Sequence, residues 1–228
     1  MILAIDTTHA FGSIALLDKG EILEEVLLHS EDGFAHVVFG DIAKLLDRHG
    51  RTIQDVECFA SASGPGAFTG VRVGLACVKG LAEAAGKPVA TVSNLQALAT
   101  FGLGPVRATM LDARRGEIYG GLYDAQLRAI APERVMGLTD WLATLPEGPI
   151  EFISSGFDAL IPALAKTRFA GAILVEAPRA LAAAIARIAF VMLQEGRTID
   201  PAEADANYVR RSDAELLWKD PLSRGPAA

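Results

Sequence analysis

The chain has 228 residues, 51% hydrophobic and 21% charged, a balance typical of a globular protein with one large lobe or two small ones. Its 21 Lys and Arg against 28 Asp and Glu give a net charge of −7. This argues against stand-alone nucleic-acid binding, because neutralisation of phosphates supplies most of that affinity. No stretch reaches about 18 uncharged apolar residues, and residues 1–8 lack a basic region, so neither a membrane span nor a signal peptide is expected. Cys58 and Cys77 lack a CxxC spacing, which indicates buried thiols in a reducing, cytoplasmic compartment.

The first half of the chain predicts a sheet with accompanying helices. Short apolar runs end at acidic residues or at the turn Lys19-Gly20, which is typical of strands joined by tight turns. Apolar side chains at helical spacing predict two long helices, the second of which ends before Gly86 and Pro88. The predicted elements are strands at 2–6, 11–18 and 21–28, a helix at 34–48, a strand at 56–62, a helix from the glycine-rich segment to about residue 85, a strand at 88–92 and a short helix at 94–101.

The second half repeats this order. Its predicted elements are strands at 107–112, 117–124 and 127–135, a helix at 139–145, a strand at 150–155, a helix at 157–166, a strand at 172–176 and a helix at 180–195. In both halves an acid ends the first strand and another follows 12 residues later, Asp6 and Asp18 in one, Asp112 and Asp124 in the other. Coincidence between two ordinary α/β units is the alternative, but the recurrence of the whole order favours duplication.

The order βββαβαβα, used twice, predicts an α/β fold of two ribonuclease H-like lobes, as in actin, Hsp70 and the sugar kinases. Gly and Pro in the GLGP stretch at 102–105 place the lobe boundary there, which gives lobes at 1–103 and 104–228. In that fold group an acid after the first strand and a glycine turn hold phosphate and metal. The link is a fold-level analogy, so function has to come from the site.

The turn after the first strand reads DTTHAFGS and starts at Asp6. A phosphate-binding turn needs glycine near the acid so that backbone N–H groups can approach the ligand, whereas Thr7 and Thr8 follow here. Their hydroxyls could bond a phosphate, or they could simply form an Asx or Ser/Thr turn. The equivalent turn of the second half carries Arg114 and Arg115, which could meet an anion or be solvated.

The stretch SASGPGAFTGVRVG at 61–74 is not a Walker A loop, and its glycines are spaced one residue wider than the dinucleotide fingerprint. The charges of the following helix share one stripe, so the helix is apolar nearly all round and must be covered on most sides. Gly66, Gly70 and Gly74 recur every four residues and leave a strip without side chains. We interpret this strip as a place where a partner backbone can approach; coverage by the second lobe is the alternative.

Catalytic and metal-binding patterns are not found. No histidine pair has the HxxxH spacing, since Gly40 follows His36, and no GxSxG elbow occurs. A Ser/His/Asp set assembled in space stays open. The sequence therefore predicts no metal site and no catalytic residue.

Four segments carry a family resemblance. They are ILAIDTTHAFGSIALL, SASGPGAFTGVRVGLACVKGLAEAAGKPVATVSNLQALA, MLDARRGEIYGGLYD and NYVRRSDAE, which together span nearly the whole chain. They resemble the TsaB family, also called YeaZ, a subunit for making N6-threonylcarbamoyladenosine in tRNA. One departure is Ala67, where the family has a small polar residue.

The resemblance implies a non-catalytic subunit, similar to an inactive paralogue of the transferase TsaD, whose metal site lies on an HxxxH helix. It implies pairing with TsaD through the first two long helices, help in recruiting the ATPase TsaE, tRNA contact only through the complex, and a homodimer when alone. It implies no intrinsic cofactor and places any ATP or ADP at the interface with the partner. Rival hypotheses are an ATP-binding phosphotransferase or ATPase of the same fold, and a homodimer that stores the subunit.

These inferences give two sets of candidate residues. The expected partner interface comprises Phe34, Val37, Phe39, Gly66, Phe68, Thr69, Gly70 and Gly74. The expected vestige of a nucleotide turn comprises Asp6, Thr7 and Thr8.

Overall fold

Two five-stranded sheets form the framework of the computed structural model, which describes residues 1–158 and 160–210. The end of the NYVRRSDAE segment, residues 211–215, lies outside the described residues. The strands of the first sheet are β1 (Ile2–Asp6), β2 (Phe11–Asp18), β3 (Glu21–His29), β4 (Cys58–Gly64) and β5 (Val89–Ser93). They lie in the order β3-β2-β1-β4-β5. The first three strands are antiparallel, and β4 and β5 run parallel to β1.

The second sheet repeats this arrangement. Its strands are β6 (Val106–Asp112), β7 (Glu117–Asp124), β8 (Ala129–Gly137), β9 (Glu151–Ser154) and β10 (Ile173–Glu176). Read from β8, the order β8-β7-β6-β9-β10 matches the first sheet, again with three antiparallel and two parallel strands. Asp6 and Asp112 end the first strand of each sheet. The predicted duplication and the fold class are confirmed.

In the described part of the chain, six helices surround the sheets and lie between them. They are α1 (Val38–Arg48), α2 (Phe68–Ala85), α3 (Asn94–Ala99), α4 (Leu138–Thr144), α5 (Ile161–Leu164) and α6 (Ala182–Gln194), with single 3-10 turns at Ile53–Asp55 and Pro201–Glu203. Among the described residues, no helix is long and apolar enough to cross a bilayer.

An apolar cluster between the sheets joins the two lobes, and each lobe has a further cluster on its outer side. α1 and α2 cover the outer face of the first sheet, and α4 and α5 cover that of the second. α3, from the first half, packs on β6 and β7, whereas α6, from the second half, packs on β1 and β2. α3 and α6 thus each pack on the sheet of the other half. The largest apolar cluster of the described residues lies between the two sheets. The boundary between 103 and 104 falls in the loop before β6 and stays a prediction.

Two of the described helices are shorter than predicted by at least a full turn. α1 begins at Val38 rather than at 34, and Val37 and Val38 donate their N–H groups to the Phe34 carbonyl in a turn before it. α5 is a single turn within the helix predicted at 157–166; it begins at Ile161 because Pro162, which has no N–H to donate, is accommodated in the first turn of a helix and not in its interior.

Candidate functional site

The turn after β1 is closed by its own side chains. Asp6 is fully buried, and its Oδ1 accepts hydrogen bonds from the Thr8 N–H at 2.9 Å and the Thr8 hydroxyl at 2.6 Å. Asn94 Nδ2, at the start of α3, donates to the Thr8 hydroxyl oxygen at 2.8 Å, and Asn94 Oδ1 accepts from the Gly64 N–H at 3.1 Å. The contacts between Asp6 and Thr8 are those of an Asx turn. The Thr8 N–H and hydroxyl, which could otherwise donate hydrogen bonds to a phosphate, are already bonded to Asp6.

The other carboxylate oxygen of Asp6 faces His9. Asp6 Oδ2 is buried, has no hydrogen-bond partner among the described residues, and lies 3.8 Å from His9 Nδ1. Burial raises the pKa of Asp6, but His9 and the Thr8 hydroxyl and N–H outweigh burial, so the pKa lies below its ordinary value. The carboxylate is therefore ionised at neutral pH while it holds the turn.

The glycines of the segment 61–74 pack against this turn. A β carbon at Gly70 would lie 2.0 Å from the Thr7 carbonyl oxygen, and one at Gly66 would lie 2.7 Å from Thr8 Cβ. A β carbon at Gly74 would lie 2.8 Å from Thr7 Oγ1, and Gly74 is buried. The glycines thus let α2 approach the turn of its own lobe. The interpretation that Gly66, Gly70 and Gly74 leave a strip open to a partner is wrong.

The other expected interface residues divide between core and surface. Phe34 is buried, and its ring packs where a β carbon at Gly12 would lie, so its placement in a partner interface is also wrong. Phe39 is 53% exposed, Phe68 is 46% exposed and Thr69 is exposed, whereas Val37 is half-buried. A partner role for these four side chains stays a prediction.

Two glycines that were not among the expected interface residues are open to solvent. Gly40 lies in α1 and Gly80 in the middle of α2. A β carbon at either would meet no described atom within 4 Å. Ala43 on α1 and Ala76 on α2 are exposed as well. We give the name helical face to five of the exposed residues of these two helices: Phe39, Gly40, Ala43, Ala76 and Gly80.

A cleft of about 470 Å³ opens between the two first-strand turns. His9 and Phe11 line it from one lobe, and Arg114 and Arg179 from the other. The Arg179 guanidinium stacks 4.6 Å from the Phe11 ring centre, and Arg114 pairs with Asp112 at 3.5 Å. The cleft could admit a small anion. Among the described residues, no group of three or more His, Cys, Asp or Glu is placed to hold a metal.

A second groove, of about 650 Å³, lies beside the start of α2. The Phe68 ring stacks under the Arg72 guanidinium at 3.8 Å and lies 6.1 Å from the Tyr208 ring. Arg210 pairs with Glu117 on the far side. Sequence reasoning named Phe68 but missed its pairing with the C-terminal segment, because Arg72 and Tyr208 lie 136 residues apart in the chain.

Comparisons with known proteins identify the family. The family model described as TsaD, tRNA N6-adenosine threonylcarbamoyltransferase, matches residues 34–200. The tRNA threonylcarbamoyladenosine biosynthesis protein TsaB of Escherichia coli is 30% identical, over 96% of this chain and 96% of the relative. This chain belongs to the TsaB family. TsaB of Bacillus subtilis is 29% identical over 95% and 97% of the two chains.

The fold of the TsaB family agrees with the structure described here. A solved structure, YeaZ from Pseudomonas aeruginosa, superposes with a TM-score of 0.77 at 26% identity, and the match covers 91% of this chain and 98% of that one. A second is described as an uncharacterized protein with similarity to peptidase YeaZ and superposes with a TM-score of 0.78. The family resemblance seen in the sequence is confirmed. Because the TsaD model begins at residue 34, β1, which ends at Asp6, lies outside that match.

Proposed function

We propose that this member of the TsaB family is a non-catalytic subunit in the biosynthesis of N6-threonylcarbamoyladenosine in tRNA. It binds and activates a TsaD-type transferase and helps recruit a TsaE-type ATPase, in the cytoplasm. The names of the E. coli and B. subtilis relatives support a role in this pathway. The observation that carries the non-catalytic assignment is the closed turn at Asp6.

A phosphate bound at a first-strand turn is held by free backbone N–H groups. Here the Thr8 N–H and hydroxyl are bonded to Asp6, and Thr7 Oγ1 donates to the Gly70 carbonyl at 2.7 Å. The Ala67 N–H, at the start of α2, donates to the Thr8 carbonyl at 2.7 Å. A phosphate would have to break several buried hydrogen bonds to enter, so the contacts favour a structural role for the turn.

The helical face is the partner surface that fits this role. An exposed glycine in mid-helix costs about 1 kcal/mol relative to alanine, so Gly80 weakens α2 without any packing gain inside the chain. Close approach of a partner helix would explain it, with Phe39 as an apolar anchor. The same face would serve a homodimer when the chain is alone, and any ATP or ADP would lie at the interface with the partner. With a net charge of −7, the chain would reach tRNA through the complex.

Reconstitution tests the proposal. Purified TsaD-type and TsaE-type subunits receive tRNA and the threonylcarbamoyl donor, with and without this chain, and the modified nucleoside is quantified by mass spectrometry. We expect formation to require the chain and to fall about tenfold with Phe39→Asp. The matched control is Leu103→Asp, at a loop residue that is 91% exposed, which should leave formation unchanged. Equal formation without the chain would refute the activator role.

An ATP-binding phosphotransferase or ATPase is the alternative, and the arginine-lined cleft between the lobes is the observation that favours it. Titration calorimetry of the isolated chain with Mg-ATP separates the two. An active nucleotide lobe should bind with a Kd between about 1 μM and 1 mM. ATP turnover that Asp6→Asn abolishes would establish the enzyme and overturn the non-catalytic assignment.

A further inference from the structure

Glu133 joins three distant parts of the chain. It lies on β8, an edge strand of the second sheet, and is half-buried. Its Oε1 accepts hydrogen bonds from the hydroxyls of Ser93, at the end of β5 in the first lobe, and Tyr123, on β7 in the second. Its Oε2 accepts from Asn207 Nδ2 at 2.6 Å. One carboxylate thus contacts both lobes and the segment after the last helix.

The two hydroxyl groups are fixed as donors. Ser93 Oγ already accepts the Leu95 N–H at 3.1 Å as the N-cap of α3, so its own hydrogen is available to Glu133. Burial raises the pKa of Tyr123, and the charge of Glu133 raises that pKa further, so the phenol stays protonated. Oε1 is therefore held in place by two donors, and Oε2 is directed at Asn207.

Asn207 in turn anchors the residues that line the groove beside α2. Its own N–H donates to the Ser63 carbonyl at 2.8 Å, and the Val209 N–H donates to the Asn207 carbonyl at 3.0 Å. The next residue, Tyr208, contacts Phe68, and residues 206–210 form one wall of the groove. Asn207 thus joins this wall to Ser63 through its backbone and to Glu133 through its side chain.

We propose that Glu133 is a positioning residue: its carboxylate latches segment 205–210 to both lobes and so sets the shape of the groove formed by Phe68, Arg72 and Tyr208. The latch is a property of this chain alone and does not depend on the proposed function. Any partner that uses the groove meets a wall that Glu133 has placed.

A charge-swap cycle tests the latch. Asn207→Asp places a second carboxylate next to that of Glu133, and the repulsion between the two should loosen segment 205–210. Adding Glu133→Gln should restore it, because the glutamine Oε1 can keep the Ser93 and Tyr123 bonds while its Nε2 donates to the new aspartate. Glu133→Gln alone should be mild, since the Asn207 amide can turn its oxygen toward the glutamine.

The measurement is hydrogen-exchange protection of segment 207–209, read at the hydrogen-bonded amides of Asn207 and Val209, with partner proteins absent. We expect Asn207→Asp to lower the protection factors about tenfold and the double variant to return them to near wild type. Asn207→Ala, which adds no charge, should lower protection less and should not be rescued by Glu133→Gln. Glu195→Gln, at an exposed acid paired with Arg197, is the control and should change nothing.

Two results would overturn the proposal. One is wild-type protection at 207–209 in both Asn207→Asp and Asn207→Ala. The other is a double variant that stays as unprotected as Asn207→Asp. If Asn207→Asp does not fold, a double variant that folds with wild-type protection supports the latch, and one that also fails to fold refutes it.

Discussion

Gly70 of α2 lies so close to Thr7 that a β carbon at position 70 would be 2.0 Å from the Thr7 carbonyl oxygen. The Thr7 hydroxyl also donates to the Gly70 carbonyl at 2.7 Å, so a side-chain-to-backbone hydrogen bond joins the turn after β1 to the helix. This contact explains why a glycine is needed in the first turns of α2. It also shows that the turn is filled by the chain itself.

The first prediction follows from this contact. Gly70→Ala should destabilise the fold, because the atom it meets is backbone and cannot move aside cheaply; overpacking of this kind costs roughly 1–3 kcal/mol. Gly74→Leu should behave in the same way, since it would meet Thr7 and Ser61. Gly80→Ala is the matched control and should stabilise by up to ~1 kcal/mol. Urea unfolding of the three variants gives the comparison, and a wild-type midpoint for Gly70→Ala would contradict it.

The second prediction concerns Asp6 and acid. Its folded pKa lies below the ordinary value of 3.8, so it contributes stability above that value, and the contribution is lost as the pH falls through the folded pKa. Asp6→Asn should therefore be less stable than wild type at pH 7, with the gap closing below about pH 4. Thermal melts across pH 3–7 measure the gap. A constant gap over that range would show that the charge of Asp6 does not matter.

The third prediction concerns Glu25, whose pKa shifts in the opposite direction. Burial is the largest effect and raises the pKa of Glu25. A hydrogen bond from the Ala183 N–H at 2.7 Å lowers this pKa, the charge of Asp6 raises it, and the net shift is upward. Ionisation of Glu25 therefore costs stability as the pH rises from the ordinary value of 4.5 through the folded pKa. Glu25→Gln, which keeps an acceptor for Ala183, should be at least as stable as wild type at pH 7. This advantage should disappear as the pH falls toward 4.5, and a destabilised Glu25→Gln at pH 7 would contradict the expectation.

The fourth prediction concerns the cap that joins the lobes. Ser13 is fully buried on β2, and its Oγ accepts the N–H groups of Leu181 at 3.1 Å and Ala182 at 3.0 Å at the start of α6. Ser13→Ala would leave both donors without this acceptor, and an unsatisfied buried donor costs about 1–3 kcal/mol. Chemical unfolding should show a loss in that range, while Ser155→Ala, at an exposed serine, should show none.

The sequence predicted the fold well because strand and helix patterns are local. Alternating and continuous apolar runs, turn residues and the repeated Asp spacing are enough to give both sheets and their duplication. Which side of a helix faces the interior could not be predicted in the same way. Spacing placed Gly70 and Gly74 on one side of α2 and Gly66 in line with them just before it, but it could not tell whether that side met a partner or the Thr7–Thr8 turn.

Phe34 was misplaced for a similar reason. It lies four residues before Val38, so helical periodicity extends α1 back to it, although the chain there forms a turn that places the ring in the core. Glu133 could not be found from the sequence at all. Its three partners lie 40, 10 and 74 residues away, and only the folded chain brings them together.

The last prediction concerns Gly80 and association. Because nothing in the described chain lies within 4 Å of a β carbon there, Gly80→Leu should fold with a melting temperature at or above wild type. If a partner helix approaches closely at this point, the added side chain should overpack that contact and weaken binding of a TsaD-type subunit, and self-association, about tenfold, or about 1.4 kcal/mol. Gly171→Leu, at another open glycine remote from α1 and α2, is the control. Calorimetry and sedimentation on the same samples measure both effects, and binding by Gly80→Leu as tight as by Gly171→Leu would remove Gly80 from the partner surface.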